Sequence, residues 1–372
     1  MSLCLMEGNE AIARAAIAAG CRFFAGYPIT PATTIYQHML DLLPPMGGIC
    51  LQGEDEIASL GFCLGAAMAG MKVMTATSGP GISLCSEQIS FAIGSEVPVV
   101  IVDVQRLGPS TGSATRGADG DIQFLRWGNS GGLPVIVLAP VDVRDCFTLT
   151  VQAFNLAEQY RCPVFLAANK EIAMTRETLD MDALVLPEPA ERRLCPPDRD
   201  CPPFEPADDP PVPYFLPMGG ERIVRHTSST HGPDGYITAD PRTITRTLSR
   251  LRRKLASVGD RFSFFEWDPC ENTEILLIAY GVTARAARAA LAQLRSQGRK
   301  ISLLVLKTLY PVPADLIKKC LAGARQVLVL EMNLGQYVRE IERLAGGVPV
   351  RHFGRMDGEL ITAQQVIEAI AA

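Results

Sequence analysis

Hydrophobic and polar positions along this chain form two blocks in which apolar runs alternate with amphipathic segments, separated by a stretch without period. In the first block, GNEAIARAAIAAG (Gly8–Gly20) sets alanine and isoleucine at helical spacing and stops at a glycine, which predicts a helix with a glycine C-terminus. A short apolar run, Phe23–Ala25, leads into the turn residues Gly26, Tyr27 and Pro28. A second helix is expected near Pro31, whose missing N–H is harmless in a first turn. Ile49–Gln52, Lys72–Thr77, Leu133–Leu138 and Pro163–Ala167 read as strands, and Val97–Val104 (VPVVIVDV) is apolar enough for a strand covered on both faces. Helices are expected after Gln52, over Pro80–Ala92 and from Val141 to about Gln159. Strands alternating with helices predict a parallel sheet with helices on both faces, and ligands in such sheets sit at the carboxyl ends of the strands.

Residues 184–217 carry prolines in pairs and no periodicity, and read as an extended linker laid over a surface. Beyond it, Ile275–Ala279, Ile301–Leu306 and Val327–Glu331 are strand candidates, and Ala284–Leu294, Pro313–Leu321 and Ala363–Ala371 helices. The expected organisation is a first α/β domain over 1–180, a Pro-rich linker and extended region over 181–265, and a smaller α/β domain over 266–372.

Composition changes this picture little. With 372 residues, 48% hydrophobic and 20% charged, the chain is long enough for two domains of ordinary globular character. A net charge of -5 argues against nucleic-acid binding. The basic run Arg246–Lys254 reads as the solvated face of an amphipathic helix. The N-terminal MSLCLMEGNEAIARAA lacks a basic region followed by an apolar core, and no run reaches membrane-spanning length, so no leader and no membrane segment are expected. Eleven scattered cysteines without a CxxC pair disfavour iron–sulfur ligation and suggest a cytoplasmic protein with free thiols. A zinc site from Cys195, Cys201, His226 and His231 is disfavoured by loose cysteine spacing, and the histidines read as loop residues. Nucleotide binding through GxGxxG or GxxxxGK[ST] is disfavoured because neither motif occurs.

Chemistry concentrates where strands end. Four loops follow strand candidates: YPITP after Gly26, GEDE after Gln52, TSGPG at Thr77–Gly81 and QRLGPSTG at Gln105–Gly112. In the second of them Glu54, Asp55 and Glu56 crowd a helix start, which suits the positive end of a helix dipole. The helix that follows sets Ala58, Gly61, Gly65 and Ala69 in a stripe nearly without side chains, which points to close approach of another backbone or a ligand. A carboxylate at the mouth of such a seam is a candidate for proton chemistry.

Taken together, GNEAIARAAIAAG, GYPITP (Gly26–Pro31), EDEIAS (Glu54–Ser59), TATSGPG (Thr75–Gly81), VIVDVQRLGPSTG (Val100–Gly112), GDIQ (Gly120–Gln123), EMNLGQ (Glu331–Gln336) and RMDGELIT (Arg355–Thr362) carry a resemblance. They resemble, in order and over nearly the whole chain, the α subunit of the 2-oxoacid:ferredoxin oxidoreductases, most closely the 2-oxoglutarate type. The resemblance implies a thiamine-diphosphate-enzyme pyrimidine-binding domain followed by a transketolase-C-terminal-like domain. It implies thiamine diphosphate shared with a β subunit that supplies the Mg2+ and pyrophosphate site and a 4Fe-4S cluster. In this chain the nearest string to the β subunit's GDG motif is GADGDI (Gly117–Ile122), where Ala118 intervenes, so no complete cofactor site and no metal ligand are expected here.

The resemblance also implies roles. Glu56 matches the glutamate that hydrogen-bonds the aminopyrimidine ring nitrogen and favours the tautomer able to deprotonate the thiazolium. Thr30 and Arg106 match residues beside the reacting centre, with Arg106 suited to a substrate carboxylate or a coenzyme A group. Cofactor contacts are implied for Tyr27, Pro28, Ile29, Ser78 and Gly79, and substrate contacts for Thr30, Arg106, Ser110 and Thr111. Other roles stay open at this point: Thr30 as a helix cap, Arg106 as neutraliser of Asp103 or another rim acid, and Glu54 as the functional carboxylate. The implied reaction joins a 2-oxo acid to coenzyme A with loss of CO2 and reduction of ferredoxin, in a heterodimer or a dimer of heterodimers. Beside it stand a 2-oxoacid dehydrogenase subunit serving a lipoyl arm, and a non-enzymatic assembly or ligand-binding subunit with the same fold.

Overall fold

A strand buried on both faces needs apolar side chains at consecutive positions, and the centre of the first sheet is built from one such run. The computed structural model describes residues 3–206, 211–256 and 262–371. The first block runs β1 (Leu3–Glu7), α1 (Gly8–Ala18), β2 (Phe23–Gly26), α2 (Thr33–Leu42), β3 (Ile49–Gln52), α3 (Glu56–Met68) and β4 (Val73–Thr77). It continues through α4 (Gly79–Leu84), α5 (Ser86–Gly94), β5 (Val99–Gln105), α6 (Ile122–Trp127), β6 (Ile136–Leu138), α7 (Val143–Tyr160), β7 (Pro163–Asn169), α8 (Lys170–Met174) and β8 (Arg176–Asp180). After the proline-rich stretch come α9 (Pro241–Ala256), β9 (Phe265–Asp268), β10 (Ile275–Tyr280), α10 (Thr283–Ser296), β11 (Ile301–Leu306) and β12 (Thr308–Tyr310). The chain closes with α11 (Ala314–Leu321), β13 (Gln326–Glu331), α12 (Val338–Leu344), β14 (Val350–Gly354) and α13 (Ala363–Ala371).

The larger sheet has the order β12-β6-β7-β5-β4-β2-β3 and the smaller one β14-β13-β10-β11-β9, while β1 and β8 form an antiparallel ribbon. In the larger sheet every pair is parallel except β12 with β6. That exception is informative: Thr308–Tyr310 lies in sequence between β11 and β13 of the smaller sheet yet completes the larger one. Lys307, just before it, bonds the Asp145 carboxylate at 2.8 Å and accepts the Ala139 N–H through its carbonyl. All seven residues of β5 are buried, as the apolar run predicts. Its alternation divides two cores: Val100, Val102 and Val104 pack toward α1 and α7, and Val99 and Ile101 toward α3 and α5. Asp103 and Gln105 share the second face.

Two expectations need correction. Arg246–Lys254 does lie on an amphipathic helix, α9, but Arg250 and Lys254 are buried rather than solvated because Glu96 lies beneath them. Cys195 and Cys201 are not free thiols; a turn between them closes a disulfide. The nearby ring nitrogens of His226 and His231 meet the backbone carbonyls of Leu216 and Gly232. Among the described residues no helix is long and apolar enough to cross a membrane.

Candidate functional site

The strands β3, β2, β4 and β5 lie side by side and parallel, so the four loops that follow them share one rim of the sheet. Sequence spacing alone made this convergence an expectation; the sheet order makes it a fact.

At the β3–α3 junction the three acids separate by role. Glu54 is exposed. Asp55 is the N-cap of α3 and its Oδ1 accepts the Ala58 N–H at 2.7 Å, the usual device for an unpaired first-turn donor. Glu56 opens the helix and is buried, 7% exposed. Its side chain lies across the TSGPG loop. A Cβ built on Gly81 would sit 2.5 Å from Glu56 Oε1 and 2.1 Å from Thr77 Oγ1, so only glycine leaves room for both. No hydrogen-bond donor among the described residues reaches the Glu56 carboxylate. The hydroxyl of Thr77 on the other side of Gly81 and that of the next residue, Ser78, are buried and also without partners among the described residues.

The stripe on α3 faces outward. Gly61, Gly65 and Ala69 are exposed, and a Cβ on Gly65 would meet nothing within 4 Å. Ile57 and Phe62, from the same helix, are 44% and 47% exposed. Beside them the edge strand β3 exposes Ile49 and Leu51.

The YPITP loop follows β2, with Tyr27, Pro28 and Thr30 exposed and Ile29 partly buried. Thr30 is not a helix cap: α2 begins at Thr33 after Ala32, with no side chain capping it. Buried Asn9, on α1, holds the turn by donating from Nδ2 to the Pro31 carbonyl at 2.9 Å and to Thr34 Oγ1 at 2.8 Å. Arg106, one residue past β5, is buried and its Nη1 donates to the Thr30 carbonyl at 2.6 Å. Its Nε has no partner among the described residues. A buried guanidinium with an unsatisfied donor is a natural receptor for an anionic oxygen.

Gly79 joins these parts, since a Cβ built on it would lie 3.9 Å from Arg106 Cγ, Asp121 Oδ2 and the Ser110 carbonyl. Ser110 and Thr111 occupy the exposed tip of the 107–116 loop, which the Leu107–Ser113 bridge closes. The structure thus gathers Thr30, Arg106, Ser78, Gly79 and Ser110 at one place, with Glu56 reached through Gly81, and holds Thr111 at the loop tip.

Sequence reasoning missed the acids behind this rim. Asp103, at the end of β5, is fully buried; burial first and the neighbouring Asp121 second push its carboxyl well above the usual range. Asp121 is raised by burial to about 6, held down from a higher value by its bond to Asp103 and by Arg106. Asp119 is raised to about 8 by burial and by the charges of Glu171 and Glu331. A lone aspartate inside VVIVDVQ was a visible signal; Asp119 and Asp121 stood only in GADGDI and GDIQ, strings that gave them no role in this chain. Among the described residues, no three His, Cys, Asp or Glu side chains are grouped to hold a metal ion.

The segment after β13 grips this loop. Asn333 Nδ2 donates to the Asp119 carbonyl at 2.8 Å, the Asp119 N–H to the Met332 carbonyl at 2.8 Å, and Gln336 Nε2 to the Gly120 carbonyl at 2.5 Å. Buried Glu331 fixes that segment by accepting the N–H groups of Gln336, Tyr337 and Val338.

Comparison with known proteins gives a consistent set of matches. The family described as "Pyruvate flavodoxin/ferredoxin oxidoreductase, thiamine diP-bdg" matches residues 14–249, and "Pyruvate:ferredoxin oxidoreductase core domain II" matches residues 273–366. The chain is 41% identical over 348 residues to the 2-oxoglutarate synthase subunit KorA of Methanocaldococcus jannaschii, covering 92% of each. It is 38% identical over 367 residues to the protein of that name from Methanothermobacter thermautotrophicus, covering 98% of this chain and 97% of that one. Among solved structures, the 2-oxoglutarate:ferredoxin oxidoreductase from Magnetococcus marinus, determined with 2-oxoglutarate, coenzyme A and succinyl-CoA bound, superposes with a TM-score of 0.94 at 32% identity. That match covers 99% of this chain, which spans 65% of the solved chain's length. A split-gene transketolase at 13% identity and a TM-score of 0.56 shares the fold.

Proposed function

The chain belongs to the 2-oxoacid:ferredoxin oxidoreductase family, in which it is an α subunit of an oxidoreductase, and on that premise we propose that its substrates are 2-oxoglutarate and coenzyme A. The products are succinyl-CoA and CO2, with ferredoxin as electron acceptor. The names of the relatives at 41% and 38% identity support this 2-oxo acid over others.

One observation carries the catalytic reading: Glu56 is buried at a helix start, packed across Gly81, and receives no hydrogen bond among the described residues. A buried carboxylate left without a partner is costly unless something outside the chain completes it. An aminopyrimidine fits, because its ring nitrogen shares a proton with a carboxylate, and the unpartnered hydroxyl of Thr77 lies across Gly81 from it. Thiamine diphosphate, when bound, supplies the nucleophilic carbon and the electron sink that decarboxylation of a 2-oxo acid requires. Glu56 holds the proton at the pyrimidine ring nitrogen. Tyr27, Pro28, Ile29, Ser78 and Gly79 are the remaining residues we assign to the cofactor. Arg106 takes the acid's carboxylate with the donors that the Thr30 carbonyl leaves free. Thr30, Ser110 and Thr111 flank it on the substrate side.

The exposed stripe Gly61, Gly65 and Ala69, with Ile57, Phe62, Ile49 and Leu51, is the surface we assign to the β subunit. We assign Mg2+, the pyrophosphate contacts and a 4Fe-4S cluster to that partner, in a heterodimer or a dimer of heterodimers.

The test is to express the chain with its own partner and follow coenzyme A-dependent reduction of a viologen dye with a panel of 2-oxo acids. We expect 2-oxoglutarate to be preferred. Preference for pyruvate or a branched 2-oxo acid would overturn the substrate. Acyl transfer to a lipoyl domain without dye reduction would overturn the ferredoxin-linked chemistry. A colourless chain that copurifies with neither cofactor nor partner would leave only the fold.

A further inference from the structure

We propose that Arg116 is a positioning residue for the 2-oxo acid, clamped by Gly358 and Glu359 of the turn at 355–360; this rests on the reading that Ser110 and Thr111 flank the substrate. RMDGELIT, residues 355–362, which takes no part in the chemistry assigned to Glu56 and Arg106, thereby acquires a role.

The 107–116 loop closes on itself at its base. The Leu107 N–H bonds the Arg116 carbonyl at 2.8 Å, the Ser113 N–H the Leu107 carbonyl at 2.8 Å, and the Arg116 N–H the Ser113 carbonyl at 3.1 Å. Arg116 is thus paired with the residue next to Arg106, and a shift at this base carries Ser110 and Thr111 with it. Among the described residues, the hydrogen bond that ties the loop to the rest of the chain comes from the Arg116 guanidinium. Its Nη1 donates to Glu359 Oε1 at 2.6 Å.

The turn that receives this bond is fixed on both sides. The Arg355 N–H bonds the Glu331 carbonyl at 3.1 Å, at the end of β13, and Arg355 Nε donates to both Asp357 oxygens at 2.7 and 2.8 Å. Asp357 Oδ1 also accepts the Glu359 N–H at 3.0 Å. Farther along, Thr362 and Gln365 bond reciprocally at the start of α13, each backbone N–H meeting the other's side-chain oxygen, at 3.0 and 3.2 Å. Between these anchors Gly358 has a φ of +82°, and a Cβ built on it would lie 2.7 Å from Arg116 Cβ, 3.0 Å from Cγ and 3.2 Å from Cδ. Glycine makes this turn and lets the aliphatic stem of the arginine lie against its backbone. Met356 Cε comes within 3.4 Å of a Cβ built on Gly120, so the same turn also covers the segment before Asp121.

An exposed ion pair contributes little when two free side chains must be ordered to make it. Here packing on Gly358 orders the Arg116 stem, and Asp357 fixes the backbone of Glu359, so less of the attraction is lost.

The experiment measures KM and kcat for 2-oxoglutarate in the complex assembled with its partner subunit. Arg116→Ala and Glu359→Gln should each raise KM about 3- to 5-fold and change kcat less than about twofold, because the loop bears on binding and leaves the proton chemistry at Glu56 in place. Glu359→Arg sets two cations together and should raise KM about tenfold; adding Arg116→Glu should return it to within about twofold of wild type. Gly358→Ala presses on the stem and strains the backbone, and should give the largest rise, about 10- to 30-fold. If that variant lowers the yield of complex, the charge exchange, confined to half-exposed side chains, carries the test.

An unmoved KM in Glu359→Arg, or a charge exchange no better than Glu359→Arg alone, would overturn the proposal. So would losses confined to kcat across the series. Unmoved KM values in both Ser110→Ala and Thr111→Ala would remove the premise and the proposal with it. A raised KM in those two beside unmoved Arg116 and Glu359 variants would end the proposal and leave the premise standing.

Discussion

Two buried glutamates show how this chain treats charge in opposite ways. Glu96, fully buried after α5, accepts from Arg250 at 2.5 and 2.9 Å and from Lys254 at 2.9 Å, with Arg161 close by. Burial alone pushes its carboxyl up, but Lys254 and Arg250 bring it well below the usual range. Those cations come from α9, so the pair welds the segment after the linker to the first sheet. Glu56, almost as deeply buried, has no such escort among the described residues. The contrast separates a carboxylate the chain completes for itself from one it leaves for something else to complete.

Removing each carboxylate should therefore break different properties. Glu56→Gln is expected to lower 2-oxo acid-dependent dye reduction by the assembled complex at least about 100-fold. The unfolding midpoint of the isolated chain should not fall, since no internal partner is lost. Turnover near the wild-type rate would end the assignment of Glu56.

Glu96→Gln leaves Arg161, Arg250 and Lys254 uncompensated and should cost about 3–5 kcal/mol in urea unfolding. Its pH dependence has a definite sign. A carboxyl held below its unfolded value contributes stability above that value, about pH 4, and loses it as pH falls toward the folded one. Wild type should thus lose stability between about pH 4 and lower pH more steeply than Glu96→Gln. Parallel acid unfolding curves would show that the cluster does not hold the fold.

Gly81→Ala sharpens the contrast from the other side. The new methyl group would collide with Thr77 and Glu56, so a loss of about 1–3 kcal/mol in stability is expected with a further drop in activity from displacement of Glu56. Activity falling only in step with stability would indicate that Glu56 tolerates movement. Gly65→Ala should have the smallest effect and two signs. The isolated chain gains up to about 1 kcal/mol, because alanine suits a helix interior and meets nothing. Affinity for the β subunit, read by titration of one purified subunit into the other, should fall. Unchanged affinity would move the seam elsewhere.

Much of the fold was legible wherever a local pattern decided it. Ile49–Gln52, Ile301–Leu306 and Ala363–Ala371 form as their residue patterns predict, and β5 is covered on both faces because its side chains leave no polar face. The shared rim was also legible, as loops following strands. What escaped notice depends on partners distant in sequence. Strand β12 has three residues, too few for a period to show, and exists because β6 offers an open edge. The helical period of Arg246–Lys254 correctly gave α9, but nothing local signals a glutamate 154 residues upstream of Arg250. Asp119 and Asp121 stood in GADGDI and GDIQ with nothing local to show that folding buries both carboxyl groups. In the acid junction, charge pattern could not rank Glu54, Asp55 and Glu56; exposure, a capping bond and burial did so.

The three residues of β12 also bear on how this molecule can be taken apart. A cut between residues 256 and 262, where the first family match has ended and the second has not begun, looks like a natural place to divide the gene. It would strip Thr308–Tyr310 from β6 and leave the end of a seven-stranded sheet with unpaired backbone groups. Such an edge is a template for pairing with a second molecule, so the upstream fragment would be prone to aggregate. The two halves are bound more like a tongue set in a groove than like beads on a string.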